Sequence, residues 1–284
     1  MLLLVVLSAC NDVVNEPAEQ GPVKLAFNFA KDSTYRYSIK NNIAINQQID
    51  ENNTITINQN MTLVSGYKVL AHTPDTRTIA VTYERITMSS GNQVFSIDYD
   101  SENDNGTEVM YEDLRNLIDK TFKMTVSAKG EVISSEPVIQ GSANGQGAYH
   151  FNDSSIRKIM MHALEVYPGR NVTPGDVWEN TYTTSVGFAN VSVKNRYRLL
   201  SVDNEQAHIE LQGRLSTDMT EQAQNSSMTL NGIQSGTFDM VLSSGLIQSA
   251  KIKQELSGEM DITGTNTPVT VESDIYIMGV KQQQ

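Results

Sequence analysis

Apolar and polar residues alternate with a period of two along most of the chain. Tyr35, Tyr37, Ile39, Ile43 and Ile45 lie on odd positions, with polar residues between most of them. This alternation is typical of a strand that buries one face. It recurs in nine further segments: 55–69, 79–83, 122–126, 178–188, 191–200, 209–215, 238–242, 252–262 and 269–277. The pattern predicts roughly ten to twelve strands, most of them antiparallel.

Several of these runs are longer than an ordinary strand of about five or six residues. A sheet built from such strands is expected to be long and either curved or strongly twisted.

Two segments interrupt the alternation and predict helices. A short helix is expected over residues 112–120, with Leu114, Leu117 and Ile118 facing inward. A longer helix is expected where apolar residues recur at helical spacing behind the N-cap candidates of residues 152–154. Its apolar stripe consists of Ile156, Ile159, Met160, Ala163, Leu164 and Tyr167. The predicted fold class is therefore mainly β (α+β), with one long and one short helix.

The chain contains a weak internal repeat. The segment 121–127, followed by Gly130, is echoed by the segment 237–243, followed by Gly245. Each reads as a strand, a glycine-containing turn and a returning strand, which is a β-hairpin. We therefore predict two related β-rich units, residues 23–140 and 170–284, joined by a flexible connection and helix over residues 141–169. Chance similarity between amphipathic strands is the alternative.

The N-terminus carries a second signal. Residues 2–7 form an unbroken apolar run that leads into Leu7-Ser8-Ala9-Cys10. This motif resembles the lipobox of bacterial lipoproteins, in which the cysteine becomes the lipidated first residue. The resemblance implies a signal peptide over residues 1–9, truncated because no basic residue follows Met1. It also implies a membrane anchor on Cys10 and a flexible tether over residues 10–22.

Charge and composition narrow the expected partners. The formal net charge is −12, whereas nucleic-acid binding needs clustered lysine and arginine. Cys10 is the only cysteine, so the chain forms no internal disulfide. We therefore expect no nucleic-acid partner, and we expect contact with a membrane through the lipid on Cys10.

The residues offer little catalytic chemistry. His72, His150, His162 and His208 are scattered and match no metal-binding spacing. No nucleophile elbow, phosphate-binding loop or dinucleotide fingerprint is present. We expect no enzyme activity, no cofactor and no metal site.

One acidic run has an open interpretation. Residues 98–108 contain alternating carboxylates followed by Gly106, as in calcium loops. When Asp100 is taken as the first ligand, however, Gly106 falls one place late and Tyr111 takes the twelfth position. A solvated acidic loop before a short helix explains the run equally well.

Together, the lipobox, the polar tether and the paired hairpins resemble an uncharacterised family of Bacteroidota lipoproteins, a domain of unknown function. Long curved strands with helices also resemble, more loosely, the lipid-carrying lipoproteins of the LolA and LolB type. These resemblances imply a protein of the cell envelope, lipid-anchored and most readily placed in the outer membrane, with its periplasmic or surface face undetermined.

Two functions follow as hypotheses. In the first, the body binds an apolar ligand such as a lipid in a pocket lined by adaptable side chains. The candidate lining residues are Met61, Phe122, Met124, Met160, Leu164, Phe238, Met240 and Met260. In the alternative, the same residues are ordinary packing and the protein is a structural or interaction lipoprotein of the envelope.

Overall fold

A computed structural model describes residues 21–50, 52–92, 94, 96–136, 160–161, 164–186, 189–217, 226–262 and 265–283. In these residues twelve strands form one antiparallel sheet, and two short strands pair separately. The mainly-β prediction is confirmed. The strands are β1 Val23–Lys24, β2 Thr34–Gln48, β3 Thr54–His72, β4 Thr76–Gly91, β5 Ser96–Asp100, β6 Thr121–Ser127, β7 Val132–Ser135, β8 Asn171–Val172, β9 Val177–Val186, β10 Ala189–Asp203, β11 Gln206–Thr217, β12 Ser226–Val241, β13 Ile247–Ile262 and β14 Thr265–Lys281.

The sheet is an extended meander with the order β7-β6-β4-β3-β2-β14-β13-β12-β11-β10-β9, and β5 pairs with β4 beside this path. Strands adjacent in the chain are mostly adjacent in the sheet. The exception at its centre is β14, which pairs with β2 over thirteen residue pairs, from Val269–Gln47 to Lys281–Tyr35. The sheet is open, with β7 and β9 as its ends.

The first and second proposed units contribute separate blocks of the sheet. Strands β2–β7 lie on one side of the β2–β14 junction and strands β9–β14 on the other. The small sheet joins the two as well, because β1 pairs with β8 through Val23–Val172 and Lys24–Asn171. The relatedness of the two units remains a prediction.

The two hairpins behind the repeat prediction share several features. Phe122 and Phe238 are both buried in the same hydrophobic core. Each hairpin turns through a glycine with positive φ, Gly130 at 81° and Gly245 at 71°. One extended segment lies against both turns: the Phe27 amide donates to the Ala128 carbonyl at 2.9 Å, and the next amide, of Asn28, donates to the Ser244 carbonyl at 2.8 Å.

No structural element was predicted from the sequence for this extended segment, residues 25–30. Leu25, Phe27 and Phe29 are fully buried, although the segment belongs to no strand. The Phe29 ring stacks on Tyr35 with 3.8 Å between centroids. A three-residue alternation at positions 25, 27 and 29 was the available signal.

The short helix is shorter than predicted. A turn of 3-10 helix at Val109–Tyr111 leads into helix α1, Glu112–Arg115. Beyond Arg115 the amides of Leu117, Ile118 and Lys120 bond to carbonyls three residues back, and Asp119 has a positive φ of 60°. The prediction to residue 120 was therefore wrong, because tight turns replace the last helical turn. Leu114 and Leu117 are buried as expected.

Most of the predicted long helix lies outside the described residues. Within it, Met160, Met161 and Leu164 have helical backbone, and residues 165–166 form a turn. Tyr167 therefore follows the helix instead of extending its apolar stripe. Residues 10–20 of the predicted tether, Cys10 included, also lie outside the described residues. In the part of the chain that is described, no helix is both long enough and apolar enough to cross a membrane.

Candidate functional site

One face of the sheet is buried, and its apolar side chains fall into two clusters. On strands β2, β10, β11 and β14 this face is formed by odd-numbered residues, and on β12 and β13 by even-numbered ones. The larger cluster, the main core, is rich in aromatic residues and includes Tyr35, Tyr67, Tyr83, Phe122, Trp178, Tyr197 and Phe238. The smaller one, the second cluster, consists of Val191, Val193, Leu215, Leu230, Leu256, Met260, Val269 and Val271.

A row of polar side chains separates these clusters on the same face. Asn195, Gln234, Gln254 and Ser273 occupy consecutive register positions from β10 to β14, with Gly213 standing between the first two. We call these four residues the polar row. Asn195, Gln234 and Ser273 are buried.

Three members of the polar row hydrogen-bond to one another, and the fourth bonds to a residue of β2. Gln254 Nε2 donates to Gln234 Oε1 at 2.7 Å, and Gln234 Nε2 donates in turn to Asn195 Oδ1. At the other end, Ser273 Oγ donates to Asn41 Oδ1 at 2.7 Å. A Cβ at Gly213 would lie 2.5 Å from Asn195 Oδ1, so glycine leaves room for the amides to meet. Buried amides need such partners because an unpaired one costs about 1–3 kcal/mol.

In the described residues, the second cluster is formed by side chains of strands only. Its buried members and the side chains packed against them, Ile43, Ile45, Tyr182 and Met228, all come from strands of the one sheet. Within the described residues, no helix or loop side chain belongs to it. The main core, by contrast, also includes Leu25, Phe27 and Leu117 from outside the strands.

The residues predicted to line an apolar pocket are all buried. Phe122, Met124, Met160, Leu164, Phe238 and Met240 pack in the main core, and Met260 packs in the second cluster. Met61 is buried on β3.

A separate cavity of about 500 Å³ lies at the acidic loop. It is bounded by strands β3, β4 and β5, by the loop itself and by the 3-10 turn. We call it the loop cavity. Its lining residues are Asn60, Thr87, Met88, Ser89, Asp98, Tyr99, Asp100, Asn103, Asp104, Asn105, Glu108 and Tyr111.

Two arginines fix the shape of the acidic loop. Arg85 contacts Asp100 at 2.9 Å and Glu102 at 3.1 Å. Arg115 pairs with Asp104 and also donates to the Glu108 carbonyl at 3.1 Å. The hydrogen bond from Arg85 lowers the pKa of Asp100, and the hydrogen bond from Arg115 lowers the pKa of Asp104.

This arrangement bears on the calcium interpretation of residues 98–108. Asp100 and Asp104 point their oxygens at guanidinium groups, which compete with a metal for the same lone pairs. No group of three or more histidine, cysteine, aspartate or glutamate side chains in the described residues is arranged to hold a metal ion. The loop is therefore held by ion pairs in this structure.

Tyr99 and Tyr111 form the aromatic part of the loop cavity, with 5.0 Å between ring centroids. Burial raises the pKa of both phenols. The Tyr111 hydroxyl also contacts the backbone amide of Asp98, which lowers its pKa in part. The Tyr99 hydroxyl is buried, with no hydrogen-bond partner in the described residues.

His208 forms the remaining polar cluster of note. Its Nδ1 lies 2.7 Å from Asp239 Oδ1 and its Nε2 lies 3.2 Å from Asp203 Oδ2. Ser249 Oγ donates to the other oxygen of Asp239 at 2.6 Å. A nucleophilic triad needs the hydroxyl on the imidazole, whereas this hydroxyl lies on the carboxylate. The other histidine of known placement, His72, is on β3 beside a smaller cavity of about 340 Å³.

Comparisons with known proteins give one family and one fold. A sequence model described as "Family of unknown function (DUF6263)" matches residues 74–247. No curated protein matches the chain significantly. Among solved structures, one described as "Lipid-protein interactions in lipovitellin" is similar over 90% of this chain and 26% of that one, with a TM-score of 0.52 and 13% identity. This chain thus spans about a quarter of the lipovitellin chain, and at that identity the likeness concerns the fold alone.

A second similar structure is the COG4313 outer membrane channel from Pseudomonas putida F1. It is 8% identical, with 93% of this chain and 99% of that chain covered, at a TM-score of 0.20. So low a score carries no argument about fold or function.

Proposed function

The chain belongs to DUF6263, a family of unknown function, and we propose that it is a lipid-anchored protein of the cell envelope whose sheet binds an apolar ligand such as a lipid. The anchor is the lipid on Cys10, and the outer membrane is the proposed site of attachment. The proposal includes no catalytic activity, no cofactor and no nucleic-acid partner.

The second cluster carries the ligand part of this proposal. It is a cluster of buried apolar side chains on one face of strands β10–β14, separated from the main core by the polar row. Apolar side chains gain free energy by leaving water at about 25 cal/mol per Å². An acyl chain inserted between these side chains would leave water in the same way, and no helix or loop side chain of the described residues occupies the cluster.

The fold supports the same proposal. Lipovitellin, to which the sheet is similar, is described by its interactions with lipid. Fold alone does not determine function, so the likeness adds weight only beside the second cluster.

The alternative is a structural or interaction protein of the envelope, and one observation favours it. Apart from Met61, the methionine and phenylalanine side chains proposed to line a pocket are packed in the two clusters. A face filled by its own side chains needs no ligand to be stable.

Mass spectrometry of the protein purified from its own envelope separates these two functions. Spectra under native conditions should show an added mass that is lost on denaturation, whereas acyl groups on Cys10 remain in both. Absence of any such mass would leave the structural alternative.

A pair of variants tests whether the ligand lies on the second cluster. Val271→Met adds bulk on the buried face of β14, and it should reduce the fraction of lipid-loaded protein. Thr270→Met makes the same type of change at the neighbouring position, whose side chain is exposed on the other face, and should leave that fraction unchanged. Equal loading in both variants would place the ligand elsewhere.

A further inference from the structure

The exposed face of the sheet, opposite the buried clusters, carries charges in a regular order. One line of register crosses five strands, from Lys194 on β10 through Arg214 on β11, Ile233 on β12 and Glu255 on β13 to Glu272 on β14. All five side chains are exposed. Two basic residues thus lie on one side of β12 and two acidic residues on the other. We call this line the charge row.

The charge row places like charges directly opposite one another. Lys194 is the register partner of Arg214, and Glu255 is the register partner of Glu272. Such pairs destabilise neighbouring strands. Lys194 and Glu255 each contact one opposite charge of their own chain, at 3.8 Å and 2.6 Å, whereas Arg214 and Glu272 form no ion pair with any described residue. An isolated chain keeps this repulsion, and an oppositely charged partner would relieve it.

The two neighbouring lines of register extend the same order. The first places Arg196 on β10 and Asp274 on β14, each two strands from β12. The second places Glu210 on β11 and Lys251 on β13, each one strand from β12. In both lines, residues at equal distances on the two sides of β12 carry opposite charges. The face is therefore complementary to itself when its two sides are exchanged.

The large apolar side chains exposed on this face follow the same arrangement. Ile233, in the charge row, is 59% exposed and lies on the central strand β12. Leu200, at the bulge of β10, and Met278 on β14 are 48% and 62% exposed. These last two side chains lie near the same end of the face, again two strands from β12 on either side.

A half-turn about an axis along β12 exchanges the two sides of the face. It lays β11 of one copy over β13 of another, and β10 over β14, which is the geometry of an isologous two-fold contact. We propose that this face binds a second copy of the chain as a symmetric dimer. Arg214 pairs with Glu255 of the other copy, Lys194 pairs with Glu272, and the two copies of Ile233 meet on the axis.

The area of this face fits a weak dimer. Five strands about 4.8 Å apart, in contact over about seven residues of about 3.3 Å each, cover about 550 Å² per copy. The total of about 1,100 Å² is near the lower limit for a specific interface. The dimer should therefore exchange with monomer, and salt should weaken it by screening the charges. The contact uses the face opposite the second cluster, so it does not depend on whether the sheet binds lipid.

Charge reversal tests the pairing of Arg214 with Glu255. Sedimentation velocity is measured on the full chain, in a mild detergent that keeps any acyl group on Cys10 from driving association. The wild type should shift from monomer towards dimer as protein concentration rises, and back as salt rises. Arg214→Glu and Glu255→Arg should each be monomeric, because each homodimer would contain two like-charge contacts. An equal mixture of the two variants should dimerise, because both contacts then join opposite charges.

The controls are Lys123→Glu on β6 and Glu131→Arg in the turn that follows. They change the net charge by the same amounts at exposed positions far from β12, and each should dimerise like the wild type. If the controls are monomeric too, net charge alone governs association and the proposal fails. It also fails if the wild type stays monomeric at every concentration in low salt, or if the mixture stays monomeric although both variants show the wild-type circular dichroism.

Cross-linking locates the axis without disturbing the charges. In a Cys10→Ser background, a short bis-maleimide should join two copies of the Ile233→Cys variant, because this position lies on the axis. Gln212→Cys is exposed on the same face of β11, but its two copies lie on opposite sides of the axis and should give little product. Equal cross-linking of the two variants would contradict the proposed geometry.

Discussion

The Tyr167 hydroxyl donates a hydrogen bond to the Gly245 carbonyl oxygen at 2.7 Å. The same side chain reaches the other hairpin turn, because a Cβ at Gly130 would lie 2.7 Å from its ring. Tyr167 thus lies between the glycine turns of two hairpins that are more than a hundred residues apart in the chain. Burial raises its pKa well above the ordinary value for tyrosine, so the hydroxyl remains a donor across the accessible pH range.

Tyr167→Phe should lower the free energy of unfolding by about 1–3 kcal/mol, because the buried Gly245 carbonyl loses its donor while the ring contacts remain. Urea denaturation followed by circular dichroism measures this. The control is Tyr276→Phe, which removes a hydroxyl that has no hydrogen bond to a described residue. If Tyr167→Phe lowers the free energy of unfolding no more than the control does, the hydrogen bond to the Gly245 carbonyl contributes nothing to stability.

Gly245→Ala should be more damaging than Gly106→Ala. Both glycines have similar positive φ, 71° and 77°, so both variants incur about 1–2 kcal/mol of backbone strain. A Cβ at Gly245 would also lie 2.0 Å from the Ala26 carbonyl oxygen, whereas nothing lies within 4 Å at Gly106. We expect a clear additional loss of stability at Gly245 in thermal unfolding. Equal losses would mean that the segment beside Gly245 moves away freely.

The polar row gives a prediction about cooperativity. Gln234→Met keeps the side-chain length but removes the hydrogen bonds that Asn195 Oδ1 and Gln254 Nε2 each make with Gln234, and it should cost about 1–3 kcal/mol. Gln212→Met on the exposed side of β11 should cost little.

Adding Asn195→Leu to Gln234→Met should cost less than the sum of the two single variants, because the partners are removed together. Chemical denaturation of the four proteins of this double-mutant cycle measures the difference. Simple additivity would contradict the coupling.

Sequence periodicity predicted the strand faces well, for a physical reason. Side chains on a strand point alternately to the two faces, so Tyr35, Tyr37 and Ile39 could be assigned to one face without knowing their neighbours. The burial of the short segment with Phe27 and Phe29 was not predicted, because an alternation of only three apolar residues is too short to indicate a strand. The end of helix α1 was not predicted either, because it depends on the tight turns that follow Arg115 and on the left-handed backbone of Asp119.

The candidate sites depend on register, which the sequence alone does not contain. Asn195, Gln234 and Gln254 each look like a single polar interruption in an apolar strand. They form a row only because β10 to β13 pair at particular positions. The acidic run was visible in the sequence, but its pairing with Arg85 and Arg115 required the fold.

His208 predicts a pH dependence of stability. The hydrogen bond to Asp239, and secondarily the one to Asp203, raises its pKa above the usual 6.5. A raised folded-state pKa means that the charged histidine stabilises the protein fully below pH 6.5. This contribution is lost as the pH rises through the raised pKa.

The melting temperature of the wild type should therefore exceed that of His208→Gln by more at pH 6 than at pH 9. His72→Gln, at a residue outside the His208 cluster, serves as the control variant. A difference between wild type and His208→Gln that stays constant from pH 6 to pH 9 would show that His208 is not charged in the folded protein.

The anchor prediction concerns Cys10. If residues 7–10 are the lipobox that we propose, the wild-type protein should incorporate labelled palmitate and sediment with membranes, because a lipobox directs acylation of its cysteine. Cys10→Ser should incorporate none, and Ser8→Ala, which keeps a small residue in the motif, should still be labelled. Labelling of the Cys10→Ser variant would contradict the assignment of Cys10 as the lipidated residue.

The pairing of β2 with β14 joins residues that lie far apart in the chain: Asn41 and Ser273, which share a hydrogen bond, are 232 positions apart. Such contacts close large loops and slow folding. A ribosome releases β2 long before β14, and in that interval β2 has an unpaired edge on the side away from β3. Unpaired edges of this kind promote aggregation. The pairings of β14 with β2 and β13 are thus the last parts of the sheet that can form during synthesis. A chain cut before residue 265 would have two further open edges, on β2 and on β13, besides those of β7 and β9.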